Sequence, residues 1–513
     1  MTSSPDDIGL LDALRERVAT AWDADLFAES ARLVVERLAK HLESVQAGEG
    51  PVLNWDEPLT NIEVAGSSLG ARENATADHV AALADRVLSR GQNLHHPHYI
   101  GHQVAPPSPI AGLFDAIGAI TNQVMGIYEM GPFTTAIEHS VVDKLGQLIG
   151  WTEGSFAGVV THGGSLANLT ALLTARNVQF EDSWTSGVPA STNLCIVANA
   201  DAHYCIHRAA GVMGLGTNSV INAPRSATRS IDPAGLRDLL SRLRDEGRYV
   251  LAVAASSCST PVGSFDDLNA IADVCDDFDV WFHVDAAHGG GALFSETHRQ
   301  KLAGIDRADS VVWDAHKMLF VPALCAFVFF KEPEHGRVSF QQKAPYLFDE
   351  GNPNESHFDS ALRTLECTKR AASLGLWGLW STFGAELFSD LIDLTFGLAR
   401  QFHSMLAATD DFEAPFVPEA NILVFRYQPD SGRSEHSLNK LHQQLRRELV
   451  RSGAFYIVQT ELDGRIWFRM TVMNPLTTVE HFRSLMTAIR DMACVASTEN
   501  ATKTDVQTGP RSD

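Results

Sequence analysis

Positive charge is scarce in this chain. Its 513 residues hold 40 lysines and arginines against 63 aspartates and glutamates, a formal net charge of −23. Nucleic acids and anionic membrane surfaces are gripped by clustered Lys and Arg, so neither is expected as a partner. A small anionic substrate is not excluded, because it needs only local positive charge. Cysteine is sparse as well. The seven residues Cys195, Cys205, Cys258, Cys275, Cys325, Cys367 and Cys494 include no CxxC pair. An odd number at low density, mostly inside apolar runs, argues against a disulfide or metal framework and predicts buried reduced thiols. Long hydrophobic runs are missing too. Segments such as Cys325 to Phe330 fall far short of the roughly 20 residues that span a bilayer. Met1 to Leu10 carries acids and lacks the basic and apolar regions of a signal peptide, so a cytoplasmic location is expected. What remains is ordinary globular composition, 45% hydrophobic and 20% charged, in a chain long enough to bury a large core.

Helical spacing marks the first 90 residues. Leu26, Leu33, Val34, Arg37, Leu38 and Leu42 form a stripe, with Glu29, Glu36 and Lys40 off it. Such a helix can pack on its own core or on a second subunit. From 91 to 385 short apolar runs alternate with helical segments. The runs are 194–198, 249–255, 280–284, 310–313 and 325–330, and 266–275 is one of the helices between them. This pattern predicts an α/β fold whose mostly parallel sheet is covered on both faces. A smaller α+β unit is expected over 386–495, with a helix at 387–406 and strands at 421–427 and 465–472. The polar stretch 496–513 reads as a disordered tail.

In a parallel sheet ligands gather beyond the carboxyl ends of the strands, and three strand ends carry chemistry here. Asp285 closes an apolar run in His283-Val284-Asp285-Ala286-Ala287-His288-Gly289-Gly290-Gly291. A buried carboxylate needs a cationic or donor partner, and the small residues after it let a flat ligand approach. Asp314-Ala315-His316-Lys317 ends the next run, which puts Asp285 and Lys317 at one end of the sheet. Thr161-His162-Gly163-Gly164-Ser165 opens a helix whose free N–H groups suit an anion. A lysine for an imine, a carboxylate for a pyridine nitrogen and a phosphate cradle together suggest pyridoxal 5′-phosphate. Each alone is weak; a Gly-Gly-Ser before a helix is most often only a cap.

The sequence closely resembles the group II pyridoxal-phosphate amino acid decarboxylases of fold-type I. These include glutamate, 2,4-diaminobutyrate, sulfinoalanine and aromatic amino acid decarboxylases. The resemblance runs from about residue 90 to 485. It rests on His96-Pro97-His98-Tyr99-Ile100-Gly101-His102, on Thr161 to Arg176, and on Asp201-Ala202-His203. His283 to Gly291, Asp314 to Lys317, Phe468-Arg469-Met470 and Asn474-Pro475 complete it. It implies a large cofactor-binding domain with a helical N-terminal segment and a small C-terminal domain. It further implies a homodimer with shared active sites.

Roles follow residue by residue from the same resemblance. Lys317 would form the imine, Asp285 would pair with the pyridine nitrogen, and Ala287 would lie against the ring. His203 would stack on its other face. Gly164 and Ser165 would hold the phosphate, Ser259 or Thr260 would hydrogen-bond nearby, and His316 would position the lysine. Tyr346 matches the loop tyrosine that returns a proton to the substrate carbon. Arg469 matches an arginine that reaches the site in the glutamate branch. His102 and Gln103 stand at the expected substrate pocket, and their polarity suits a polar or anionic side chain. Tyr128, Glu129 and Phe133 would reach it from a second subunit, where Glu129 could receive a cationic substrate such as diaminobutyrate.

The chain departs from the family pattern at four places. Cys258-Ser259-Thr260 replaces a common Gly-Thr-Thr, His162 a common Ser or Thr, His288 a common aromatic residue, and Asp314 a common Asn. The expected activity is decarboxylation of an L-amino acid to its amine and carbon dioxide. An aminotransferase or an aldehyde-forming oxidative decarboxylase is the alternative, and Tyr346 argues against the latter. A catalytically silent scaffold is the least favoured reading, given Lys317, Asp285 and His203.

Overall fold

The computed structural model describes residues 5–69, 75–340, 357–429 and 432–507. The chain divides into two compact units. One takes the residues before Gly101, Lys440–Ile457 and the residues from Leu476 onward; the other takes Gly101–Asn439 and Val458–Pro475.

The larger unit is built on strands that the apolar runs dictate. In chain order they are β1 (Val124–Met125), β2 (Ala157–Thr161), β3 (Leu194–Asn199), β4 (Val220–Ala223), β5 (Tyr249–Ser256), β6 (Trp281–Asp285), β7 (Ser310–Asp314), β8 (Ala326–Phe330) and β9 (Lys369–Arg370). Seven of them form one sheet in the order β2-β8-β7-β6-β5-β3-β4. The pairs from β7 through β4 are parallel, and β8 runs antiparallel to both β7 and β2. Two reversals leave β2 pointing the same way as β7. Thr161, Ser256, Asp285 and Asp314 therefore end at one edge of the sheet.

Alternation along each strand explains the two-sided core. On β3, Cys195 and Val197 join one apolar cluster while Ile196 and Ala198 join the other. Val311 and Trp313 on β7 face the first, Val312 the second. Both faces are apolar, so the strands read as continuous hydrophobic runs rather than as polar–apolar alternation. Helix Gly164–Gln179 covers one face through Ala167, Ala171 and Leu172. Helices Pro132–Ile149, Leu268–Phe278 and Glu386–Ala407 cover the other through Ile137, Ile271 and Phe388.

One buried ion pair fastens the edge strand. Lys369 Nζ donates to Glu138 Oε1 at 2.7 Å and to the Val160 carbonyl at 2.7 Å, while the Val160 N–H donates to Glu138 Oε1 at 3.1 Å. Both side chains are almost fully buried. Replacing only Lys369 by methionine strands a charged Glu138, and is expected to destabilise the fold by about 3–5 kcal/mol. Urea denaturation checks this. The double variant with Glu138→Gln should recover much of the loss, and equal instability in both would refute the charge argument.

The same unit holds a second, antiparallel sheet, with β10 (Phe412–Glu413), β11 (Ile422–Tyr427), β12 (Val458–Leu462) and β13 (Arg465–Thr471) in the order β10-β11-β13-β12. The boundary expected at residue 385 is not where the contacts divide the chain. Ala420, Ile422 and Met473 belong to the same apolar cluster as the large sheet, which keeps the small sheet with it.

In the other unit, helices Ala24–Gln46 and Ala77–Arg90 are joined by an Arg37–Asp85 pair at 2.8 Å. Asp23 caps the first and Thr76 the second. The stripe residues Leu26, Leu33, Val34 and Leu42 are half-buried, while Trp22, Leu59, Ile62 and Val87 are exposed. The last helix, Val479–Gln507, runs through 496–507, where the sequence predicts a disordered tail. Its first half is anchored by buried Phe482, Leu485 and Ile489, and extending a nucleated helix adds one hydrogen bond per residue. Among the described residues no helix is long and apolar enough to cross a membrane.

Candidate active site

The convergence of strand ends makes a cavity of about 360 Å³. After β2 come His162, Gly163, Gly164 and Ser165. Ser256 ends β5, and Cys258, Ser259 and Thr260 follow it. Asp285 ends β6 ahead of Ala287 and His288. Asp314 ends β7 ahead of His316 and Lys317. Gln103, Asn168, His203 and Leu324 complete the wall.

Gly163 has φ +102°, a conformation that side chains rarely adopt, and it turns the chain from β2 into helix Gly164–Gln179. No side chain caps this helix, so its first N–H groups are open to an anion. A Cβ on Gly164 would lie 2.7 Å from Asp314 Oδ2, so only glycine fits beside that carboxylate. The helix start is also braced from below. Asn168 donates to the Gly164 carbonyl at 2.8 Å, and its Oδ1 lies 2.8 Å from His283 Nε2. His283 Nδ1 lies 2.8 Å from Ser310 Oγ, which accepts from Trp281 Nε1. With the Asn168 amide so placed, His283 donates through Nε2 and accepts from the Ser310 hydroxyl. Burial pushes its pKa down to about 4, so the imidazole in this chain is neutral.

Lys317 Nζ lies 3.0 Å from Asp314 Oδ2. Burial opposes its charge, but the Asp314 and Asp285 carboxylates outweigh burial and hold the ammonium above the ordinary lysine range. His316 Nδ1 donates to the Cys325 carbonyl at 2.8 Å, which fixes its ring beside Asp314. Asp285 accepts from the Ala287 N–H at 3.1 Å. His203 Nδ1 accepts from the Cys205 N–H at 3.3 Å, leaving the proton on Nε2. Burial holds His203 below the ordinary histidine range; Lys317 adds to that effect, while Asp285 opposes it.

Not every residue expected at the site lines this cavity. His102 has an exposed side chain outside it, while its neighbour Gln103 lines it. Tyr128 sits in a short turn, held by its N–H to Asp359 Oδ1 at 2.8 Å, and does not reach the cavity of its own chain. Glu129 and Phe133 are exposed. Ser259 is present, but its hydroxyl lies 2.8 Å from Ser264 Oγ. Arg469 stands behind the wall and donates from Nε to the Thr260 carbonyl at 2.8 Å. Tyr346 lies outside the described residues.

Other lining residues carry signals that motif reading passes over. Ser256 closes β5 as Asp285 closes β6. His288 lies 2.7 Å from Asn421 Oδ1 through Nε2, and its Nδ1 is buried without a partner. Burial and then Lys317 push its pKa down to about 3.

A pyridoxal-dependent decarboxylase conserved domain matches residues 71–428. The chain belongs to the pyridoxal-dependent decarboxylase family. Solved structures agree with this. Mouse CSAD superposes with a TM-score of 0.85 at 27% identity, over 91% of this chain and 98% of that one. Oryza sativa TDC, solved with PLP and tryptamine, gives 0.84 at 22% identity, over 92% and 99%. The glutamate decarboxylase domain of a Vibrio parahaemolyticus diaminobutyrate-pyruvate transaminase and L-2,4-diaminobutyrate decarboxylase gives 0.80 at 23%, over 91% and 95%. This decarboxylase is therefore a carboxy-lyase, and its cofactor is pyridoxal 5′-phosphate. The cavity fits that group in kind. Among the described residues it offers one amine, two strand-end carboxylates, an uncapped helix start that a single Cβ would fill, and the small Ala287.

Proposed function

We propose that this decarboxylase removes the α-carboxylate of an L-amino acid with a polar or anionic side chain, releasing the amine and carbon dioxide. The observation that carries the substrate class is Arg469. Its side chain is buried, Nε is spent on the Thr260 carbonyl, and Nη2 is buried without a partner among the described residues. Burial pushes its pKa down to about 10, which still leaves it charged at neutral pH. A buried guanidinium with no carboxylate against it among the described residues is a costly arrangement, which an anion reaching it past Thr260 would relieve. Gln103, Ser256 and Thr260 add polar lining nearby, with no aromatic wall among the described residues of the cavity.

The bound cofactor supplies the electron sink for the bond that breaks. The chain's own residues do the rest in this reading. Lys317 supplies the amine that tethers the cofactor and later releases the product. Asp285 holds a proton at the ring nitrogen. Neutral His203 and Ala287 would lie against opposite faces of the ring, and Gly164 with Ser165 would hold the phosphate. Tyr346 is the proposed donor of the proton to Cα. A homodimer is part of the reading, because exposed Trp22, Leu59, Ile62 and Val87 give the helical unit apolar surface to cover.

A panel of acidic, amide, cationic and aromatic L-amino acids, with the amine detected by mass, tests the substrate class. Arg469→Met should lower kcat/KM for the preferred substrate by about 10²-fold or more. A preference for aromatic substrates, or an unaffected Arg469→Met enzyme, would refute the assignment.

A further inference from the structure

The phosphate end of this cavity carries a charge that does not belong there. Asp314 is buried, and its side chain packs against Gly164, the first residue of the anion-binding helix. Oδ2 has Lys317 Nζ at 3.0 Å and His316 Nε2 at 3.7 Å. Oδ1 is buried and has no hydrogen-bond partner among the described residues. An ionised carboxylate here accepts only, and it would face a phosphate that also only accepts. Lys317 presents the complementary difficulty. The geometry keeps it an ammonium, and an ammonium has no lone pair with which to attack an aldehyde.

We propose that Asp314 accepts the proton that Lys317 must lose to capture the cofactor and, as a carboxylic acid, donates a hydrogen bond to the cofactor phosphate. The inference rests on the reading that Lys317 tethers pyridoxal phosphate in this cavity. Its balance is simple. One proton passes from Nζ to the carboxylate over 3.0 Å. The freed lone pair forms the carbon–nitrogen bond, and the two remaining amine hydrogens leave with the aldehyde oxygen as water. Nothing is oxidised or reduced. The single transfer removes both difficulties, since it frees the nucleophile and turns a repelling carboxylate into a donor. The other titratable groups around Asp314 are set for this. His316 is held through Nδ1 by the Cys325 carbonyl, His203 is held below the ordinary histidine range, and the Cys205 and Cys325 thiols are held above theirs by burial. His162 and Asp285 line the same cavity.

Infrared difference spectra of the full-length protein, loaded with pyridoxal phosphate minus free, give the readout. The wild type should gain a protonated-carboxyl band on loading, and Asp314→Asn should lack it. Asp314→Glu keeps the carboxyl group and should shift the band, which secures the assignment if the asparagine protein does not fold. In cofactor titrations Asp314→Asn, whose amide donates but cannot take up the proton, should bind more weakly than the wild type, and Asp314→Ala, which can do neither, about tenfold more weakly again. A wild type that shows the visible imine absorbance without gaining the band overturns the proposal. A wild type with no imine absorbance instead overturns the tether reading on which it rests.

Discussion

Replacing Lys317 by alanine is expected to abolish the visible imine absorbance of the cofactor-loaded protein and to lower decarboxylation by at least about 10³-fold. Among the described residues, the cavity walls hold one amine, that of Lys317 just after β7. The substitution has another consequence. It removes the cation from Asp314 Oδ2, leaving a buried carboxylate uncompensated beside Asp285. A stability loss of a few kcal/mol, roughly 3 or more, is therefore expected alongside the loss of activity. The double variant Lys317→Ala with Asp314→Asn separates the two effects. It should regain stability in urea denaturation and remain inactive. Recovery of activity in the double variant, or an intact imine absorbance in the single one, would remove Lys317 from the role assigned to it.

Much of this site was legible before any coordinates, because its pieces are short and local. Asp285 and Lys317 each follow an apolar run, and the rule that ligands gather at strand carboxyl ends places them together. The parallel pairing of β6 with β7 is what that rule requires. The helix start at Gly164 was readable for the same reason. What sequence left hidden depends on partners far apart in the chain. β8 enters the sheet antiparallel between β2 and β7, and an apolar run carries no mark of its direction. Short β4 and the unevenly buried β12 lack the continuous burial that made the core strands visible. The brace from Trp281 through Ser310, His283 and Asn168 to Gly164 joins three elements. Of its members His283 and Gly164 stood out, each as part of a motif. Arg469 was recognisable as a residue type, but the fact that distinguishes it, a buried guanidinium edge with no partner, belongs to three dimensions.

Asp285→Asn is expected to separate cofactor capture from catalysis. Asparagine keeps the size of the side chain and can still accept the Ala287 N–H that aspartate takes at 3.1 Å. It cannot hold a positive charge at a ring nitrogen. The imine absorbance should therefore persist, while kcat falls by about 10²–10³-fold, the scale on which a lost charge-stabilising contact slows an enzyme. The free protein offers an independent check. Asp285 is one of the two carboxylates that hold Lys317 above its ordinary range, and it opposes the lowering of His203. Removing its charge should let both pKa values fall, so Lys317 should lose its proton at lower pH than in the wild type. Lysine modification rates followed across the alkaline range would show the shift. A purely structural role predicts no such movement. Unchanged kcat with an unchanged Lys317 titration would place the ring-nitrogen partner elsewhere.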